Sequence, residues 1–386
     1  MTSKIFAPAL LSLIATAALV ACGGGDGGGT AAAPPAPTAD AVTTAASVAV
    51  AASIGATVIA GASSDEEVYN LTADVGDSWQ LVLNNKTNQY VVKMLAPSLY
   101  NLSNTTPATF TKTTVGTVTT IKDASGTALS VQIDTRTKTV GGNITVGGKA
   151  AAVAGSGYVI ADVGKLAGNY LFAGAVHNLD GTAPGTAVGS FIVAANGIDI
   201  TACDGGIVVS GACAVVPGSN STVVLTKQLK IVKDGALLRI KDGVKDFGIL
   251  HVSAGDRGPV LIIDRFGIGD YNVFRTGAFF ASKSTKLTGT EFNGNWTCSS
   301  RGNDIAVLAI SGTSFTNTSK TTANQGTLQY NKVVNNANVA IDLDGVLIAK
   351  NNLEQLQDAS LVLPLSSSLA IVVESQGQID VCRKNS

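Results

Sequence analysis

From about Ser78 onward the apolar positions recur with a period of two, which is the spacing of strands that bury one face. Trp79, Leu81 and Leu83 fall on one face; the polar run Asn84–Asn88 then turns the chain into Tyr90, Val92 and Met94. Leu129, Val131 and Ile133 alternate strictly with Ser130, Gln132 and Asp134, predicting a half-buried strand. The punctuation between apolar runs is turn chemistry. Asn196-Gly197 separates Phe191–Val193 from Ile198–Ile200, Asp234-Gly235 separates Ile231-Val232 from Leu237–Ile240, and Asp344-Gly345 separates Val339–Ile341 from Val346–Ile348. Asx-Gly pairs tolerate the positive φ that two-residue hairpins require. Helical signals are few: Asn351–Asp358, with Leu353 and Leu356, predicts about two turns. The pattern predicts an all-β protein of antiparallel meander barrels or sandwiches, in two to three modules.

Glycine-rich punctuation also suggests boundaries. Gly155-Ser156-Gly157, followed by Ala161–Gly164, closes an N-terminal β domain over residues 51–160. Residues 161–386 form a C-terminal β region, either one body or two modules splitting near 290. Gly168-Asn169-Tyr170 and Gly294-Asn295-Trp296 are similar openings, each a Gly-x-aromatic leading a strand. Gly-x-Trp resembles the first-strand motif of lipocalins and their calycin relatives, and the resemblance implies a barrel holding a small apolar ligand. None of that family's later motifs is found in the chain. The same residues also fit a glycine that lets the backbone turn beside an aromatic core plug.

The N-terminus carries a different signal. Lys4 precedes the uncharged stretch Ile5–Val20, and Leu19-Val20-Ala21-Cys22 leads into Gly23-Gly24-Gly25-Asp26-Gly27. A basic start, an apolar segment and small residues before a cleavage point read as an export signal. Leu-Val-Ala-Cys resembles the lipobox of bacterial lipoproteins. That resemblance implies removal of residues 1–21, diacylglycerylation of the Cys22 thiol and acylation of its new amine. Two or more acyl chains would then hold the protein to a membrane stably. With Gly23 rather than Asp after Cys22, it implies the outer membrane, on either the periplasmic or the surface side. An uncleaved anchor is the competing reading, but Ile5–Ala21 is short for a spanning helix and contains Pro8. Residues 22–50 are expected to be a flexible tether: 23–40 are Gly, Ala, Pro and Thr with two aspartates. Ala41–Ser64 lacks Leu and Phe, too weakly apolar to insert in a bilayer, and is expected to carry the tether into the first packed strand.

Composition narrows the function. An apolar content of 45% supplies a core, whereas charged residues are 14% of the chain and the net charge is −1. No basic run exceeds Arg383-Lys384, so the stripe that nucleic-acid binding requires is missing. Besides Cys22, four cysteines remain in an exported chain, which favours disulfides. Cys203 and Cys213 flank a hairpin-like loop and suit a local bridge, leaving Cys298 for Cys382; no C-x₂₋₄-C pair suggests zinc.

Catalytic patterns are absent. There is no Gly-x-Ser-x-Gly elbow, no His-Glu-x-x-His and no glycine-rich phosphate loop before a helix. The two histidines lie apart, His177 before a turn at Asn178–Gly181 and His251 within an apolar strand. Asp342, Asp344, Asp264 and Asp270 are candidate calcium oxygens, but their spacing misses the calcium-loop pattern and hairpin turns explain them equally. Asp65-Glu66-Glu67 is the only acidic cluster, and neighbours in an extended segment face opposite sides. Neither a catalytic residue, a metal site nor a cofactor is expected. The expectation is a lipid-anchored envelope protein with a binding or structural role. Its partners would be the membrane, through the anchor, and a small apolar ligand or an envelope protein, but no nucleic acid. The alternatives are a calycin-like carrier of a small apolar ligand and, third, an unrecognised hydrolase.

If Cys22 is the lipid attachment point, Cys22→Ala in the producing cell leaves an unprocessed precursor and abolishes palmitate labelling. Labelling at the wild-type level would refute the assignment.

Overall fold

The computed structural model describes residues 39–204, 206–215, 225–268, 273–300, 303–318, 323–334, 340–352 and 355–385. Cys22 and the expected signal at residues 1–21 lie outside them. The alternating pattern resolves into three closed eight-stranded antiparallel barrels in sequence order. The N-terminal barrel runs from the strand Glu66–Ala73 to Lys149–Ser156, the middle barrel from Gly168–Asn178 to Phe274–Lys283, and the C-terminal barrel from Gly294–Ser300 to Ile379–Lys384. Each is an up-and-down meander whose first strand pairs with its last, through Asn70↔Ser156, Tyr170↔Lys283 and Trp296↔Lys384. Closure leaves no free sheet edge in a barrel.

The two Gly-Asn-aromatic openings are one local design used twice. Gly168 and Gly294 hold φ of +140° and +117°, in the range where a side chain would be strained. The following ring enters the barrel end and bonds back four residues: Tyr170 Oη donates to Leu166 O, and Trp296 Nε1 to Phe292 O, both at 2.7 Å. A lysine from the closing strand then covers each ring, Lys283 Nζ at 4.8 Å from the Tyr170 centroid and Lys384 Nζ at 5.9 Å from that of Trp296.

Several expectations need correction. Residues 39–50, expected as tether, belong to an α-helix, Ala39–Ser53. Its alanines favour a helix, and its small side chains let it pack closely, with Ser47 fully buried and Ala51 and Ile54 in the middle barrel's core. No barrel strand begins at residue 51: Ala56–Val58 pairs with Tyr158–Ile160 in a separate two-stranded ribbon. Asp344-Gly345 does not turn the chain. The strand Ala340–Asn351 runs through it, with Gly345 at φ +97° opposite a register break at Asn331. Asn331 Oδ1 accepts from Gly345 N at 3.1 Å, so the pair bends the strand where a hairpin is expected. The two helical turns expected at Asn351–Asp358 reduce to a single 3₁₀ turn, Leu356–Asp358, after a strand ending at Asn351; Leu353 lies outside the described residues.

The strand Leu129–Asp134, expected to be half-buried, is buried on both faces. Leu129, Val131 and Ile133 fill the N-terminal barrel, while the polar face turns toward the other barrels. Each barrel has its own interior cluster, and a fourth apolar cluster is built from outer faces of all three: Ala152 and Ala154, Leu171, Ile262 and Phe280, and Ile348, Leu363 and Ile371 among others. Runs such as Leu369–Val373 are therefore continuously apolar, one face for the barrel and one for the junction.

Polar residues fix this junction at one point. Arg136 Nε and Nη2 donate to Asp134 at 3.1 and 2.8 Å, Nη1 lies 3.5 Å from Asp256 Oδ2, and Nη2 donates to Ser367 and Ser368 Oγ at 2.9 and 2.7 Å. Arg136 Nη1 also donates to Thr43 Oγ1 on the helix. The three charged side chains are no more than 4% exposed. Arg136→Met is expected to cost about 3–5 kcal/mol of unfolding free energy, because two buried carboxylates lose their counter-charge. Urea denaturation measures it, and a loss below about 1 kcal/mol would show that the cluster is not a stabilising contact.

Candidate functional site

Identical architecture does not give identical interiors. The N-terminal barrel is filled by Trp79, Tyr69, Phe110 and a leucine ladder at Leu71, Leu81 and Leu83. In the middle barrel aromatic rings occupy the lumen. Tyr170 stacks on Phe191 at 5.3 Å, Phe172 meets Phe279 at 5.4 Å, and Phe279 meets Phe247 at 6.4 Å. The Arg265 guanidinium lies 4.1 Å above Phe247.

Trp296 and Phe292, 5.3 Å apart, plug one end of the C-terminal barrel. Above this plug the inward positions are small: Cys298, Ala306, Ala349, Ala370 and Cys382. Leu308, Phe315, Leu328, Leu347, Val362 and Val372 complete an apolar wall around a cavity of about 210 Å³. The period of two fixes which residues face in. Ala370 and Val372 line the cavity while Leu369, Ile371 and Val373 join the junction between barrels.

Polar side chains lie at the opposite end from Trp296. Asn317, Asn351, Ser360, Glu374 and Asp380 all line the cavity near strand termini. Ser360 Oγ donates to Glu374 Oε2 at 2.6 Å, and Gln378 Nε2 donates to Asp380 Oδ1 at 2.9 Å. Asn317 Oδ1 is buried without a hydrogen-bond donor among the described residues. An unsatisfied acceptor of this kind costs about 1–3 kcal/mol, which a ligand donor would recover. A wider space of about 430 Å³ among Thr117, Ser367, Ser368, Lys384 and Asn385 is a cleft with mixed polar walls outside any barrel lumen.

The cysteines are joined as Cys203–Cys213 and Cys298–Cys382. The first ties a side hairpin, Gly206–Val209 with Ala212–Val215, to the third strand of the middle barrel. The second joins directly opposed residues across the closing seam of the C-terminal barrel, and both sulfur-bearing residues form part of the cavity wall.

Both histidines lie where the N-terminal and middle barrels meet. His177 Nε2 is 3.1 Å from Asp74 O and its Nδ1 is 3.1 Å from Thr276 Oγ1. His251 lies with Ser78 and Asp264, a trio that sequence separations of 173 and 186 residues conceal. Ser78 Oγ donates to Asp264 Oδ2 at 2.6 Å and stands 3.4 Å from His251 Nε2. The hydroxyl thus lies between imidazole and carboxylate, whereas a hydrolytic triad needs the carboxylate to orient the imidazole. All three side chains are buried. Asp342 pairs with Lys332 at 2.8 Å, and among the described residues no three His, Cys, Asp or Glu side chains converge to hold a metal. No described helix is long and apolar enough to cross a membrane.

No family model matches the chain, and no curated protein matches it significantly. Among solved structures it is similar to a protein of unknown function from the DUF3598 family of Nostoc punctiforme. The identity is 11% over 57% of this chain and 96% of that one, with a TM-score of 0.21. It is also similar to a point mutant of the vaccine antigen transferrin binding protein B from Haemophilus parasuis. That identity is 8% over 80% of this chain and 66% of the other, with a TM-score of 0.19. Likenesses this distant carry no functional assignment.

Burial gives the histidine trio a measurable signature. It lowers the pKa of His251 from 6.5 to about 4, against a hydrogen bond with the Leu71 backbone that works the other way. Burial also drives Asp264 well above its ordinary 3.8, with Asp77 adding to the rise. The unfolded chain protonates His251 near pH 6.5 and the folded chain only near 4. Its contribution, roughly 3 kcal/mol, is therefore complete above pH 6.5 and lost as pH falls toward 4. Asp264 acts with the opposite sign, since the fold takes up its proton at higher pH than the unfolded chain does. Urea unfolding across this range is expected to show a shallower acid-side decline for His251→Gln than for wild type. Equal slopes would contradict it.

Proposed function

We propose that this protein is a lipid-anchored, non-enzymatic binding protein of the cell envelope, and that its C-terminal barrel carries a small, largely apolar ligand. The C-terminal barrel combines an apolar lumen cavity with polar groups at the end opposite Trp296; that observation carries the reading. Ligand pockets are characteristically apolar with a few placed polar groups. The wall of this one is held by a closed strand ladder and by the Cys298–Cys382 bridge, so the cavity is pre-formed. The two filled barrels serve as a rigid mount through the junction cluster. This favours the carrier reading over a purely structural one. Anchoring rests on the sequence around Cys22, and Gly23 after it supports placement in the outer membrane.

The lumen can be tested by filling it. Ala349→Leu and Ala370→Leu place added carbon atoms in empty space, so stability is expected to hold or rise by up to about 1 kcal/mol. Binding of phenylpropanol to the purified full chain, followed by calorimetry, is expected for wild type and lost in both variants. Unchanged binding would place the ligand elsewhere, and loss of folding in both would mean that the lumen is already filled.

A further inference from the structure

Of the strand Ser314–Thr318, Phe315 and Asn317 face the cavity. Phe315 opposes Ile310 on one neighbouring strand and Gly326 on the other. A Cβ at Gly326 would stand 2.2 Å from Phe315 Cζ and 2.5 Å from Cε1, so the ring leans across the ladder and rests on bare glycine backbone. Seated there, it forms part of the cavity wall beside Ile310 and Leu328. The middle barrel uses the same contact twice. A Cβ at Gly174 would stand 2.3 Å from Phe279 Cδ1, and one at Gly189 would stand 3.0 Å from Phe172 Cε1. There the two seated rings meet each other at 5.4 Å, and Phe191 and Phe247 extend the stack through the lumen. Around Phe315 the lining is aliphatic or small instead, with Ile310, Leu328, Ala306 and Ala349. One seated ring therefore bounds a cavity where a stack of rings fills the other lumen.

That bound has a size. A cavity of about 150 Å³ takes up benzene, so by proportion the 210 Å³ here holds roughly eight to ten non-hydrogen atoms. One ring with a short chain fits. A second ring needs the space that the Phe315 phenyl group occupies. The wall resists widening to supply it, because every strand is laddered on both sides and the seam is bridged at Cys298–Cys382. Resting on the carrier reading above, we infer that Phe315 is the specificity-determining residue of this cavity and restricts its ligand to a compact apolar body of one ring. A long acyl chain and a pair of linked rings are excluded.

Two alcohols that differ by one phenyl group test the limit: phenylpropanol and its para-biphenyl analogue, each titrated into the purified full chain. Wild type is expected to bind phenylpropanol, and to bind the biphenyl compound at least about tenfold more weakly. Phe315→Ala removes the phenyl group that stands in the way and is expected to reverse the order, by about tenfold in favour of the biphenyl compound. Phe315→Leu removes less and is expected to narrow the difference to about threefold. Thermal melting shows which variants are folded, and Phe315→Leu decides the point where Phe315→Ala is not. A purely structural role for Phe315 would weaken both alcohols together and leave their ratio unchanged. If wild type binds the two equally, or if the folded variants keep the wild-type ratio, the assignment to Phe315 is overturned and the carrier reading stands. If wild type binds neither, both fall.

Discussion

The buried guanidinium of Arg136 is the contact on which the assembly of this chain depends. It sits where one turn from each barrel and the helix Ala39–Ser53 come together, and it bonds to Asp134, Asp256, Ser367, Ser368 and Thr43. Around it Ser366 Oγ donates to Asp134 Oδ2 at 2.8 Å, Ser367 Oγ to Asp256 Oδ2 at 2.6 Å, and Ser47 Oγ to Ala254 O at 2.9 Å. A buried ion pair is weak evidence of net stability, but its geometric demands are strict. Apolar surfaces slide against one another at little cost; a planar fork of donors meeting two carboxylates does not. The junction cluster supplies the attraction between barrels, and Arg136 supplies the register.

That division explains why three similar barrels have different interiors. A barrel whose outer face is exposed must stabilise itself from its lumen alone. Here the strands that face the junction are apolar on both sides, as Leu361–Leu363 and Leu369–Val373 show. Burial on the outer face compensates the C-terminal barrel for contacts that its lumen lacks, and the bridge between Cys298 and Cys382 closes its seam covalently. Small inward residues at Ala306, Ala349 and Ala370 are therefore tolerated. The middle barrel reaches the same end with rings stacked through its lumen.

The buried polar groups divide between holding and binding. His177, His251, Ser78 and Asp264 join the N-terminal and middle barrels, and burial suppresses the charged forms of His251 and Asp264. In the C-terminal barrel, Glu374 and Asp380 belong to the cavity lining, and Ser360 and Gln378 donate to them. A residue list would rank the histidines first as functional candidates. The surroundings reverse the ranking.

Periodicity and turn chemistry by themselves determined the class and the repeat. Alternation is a property of neighbouring residues, so the all-β meander was legible, and the paired openings at Gly168 and Gly294 located two barrels because the same local need for positive φ and an aromatic plug recurs in sequence. The cysteine pairs were legible for a similar reason, one being local and the other what remained. Sequence misjudged Ala39–Ser53, because a helix of small residues is recognised only by the surface that receives it. It misjudged Asp344-Gly345, because a bend and a hairpin share the same turn residues and only the strand opposite, with Asn331, distinguishes them. It could not place the cavity at all. Whether an inward alanine leaves a void depends on what the other seven strands bring to the same level. Only the closed barrel sets Ala306, Ala349 and Ala370 around one space, with Asn317, Glu374 and Asp380 at its mouth.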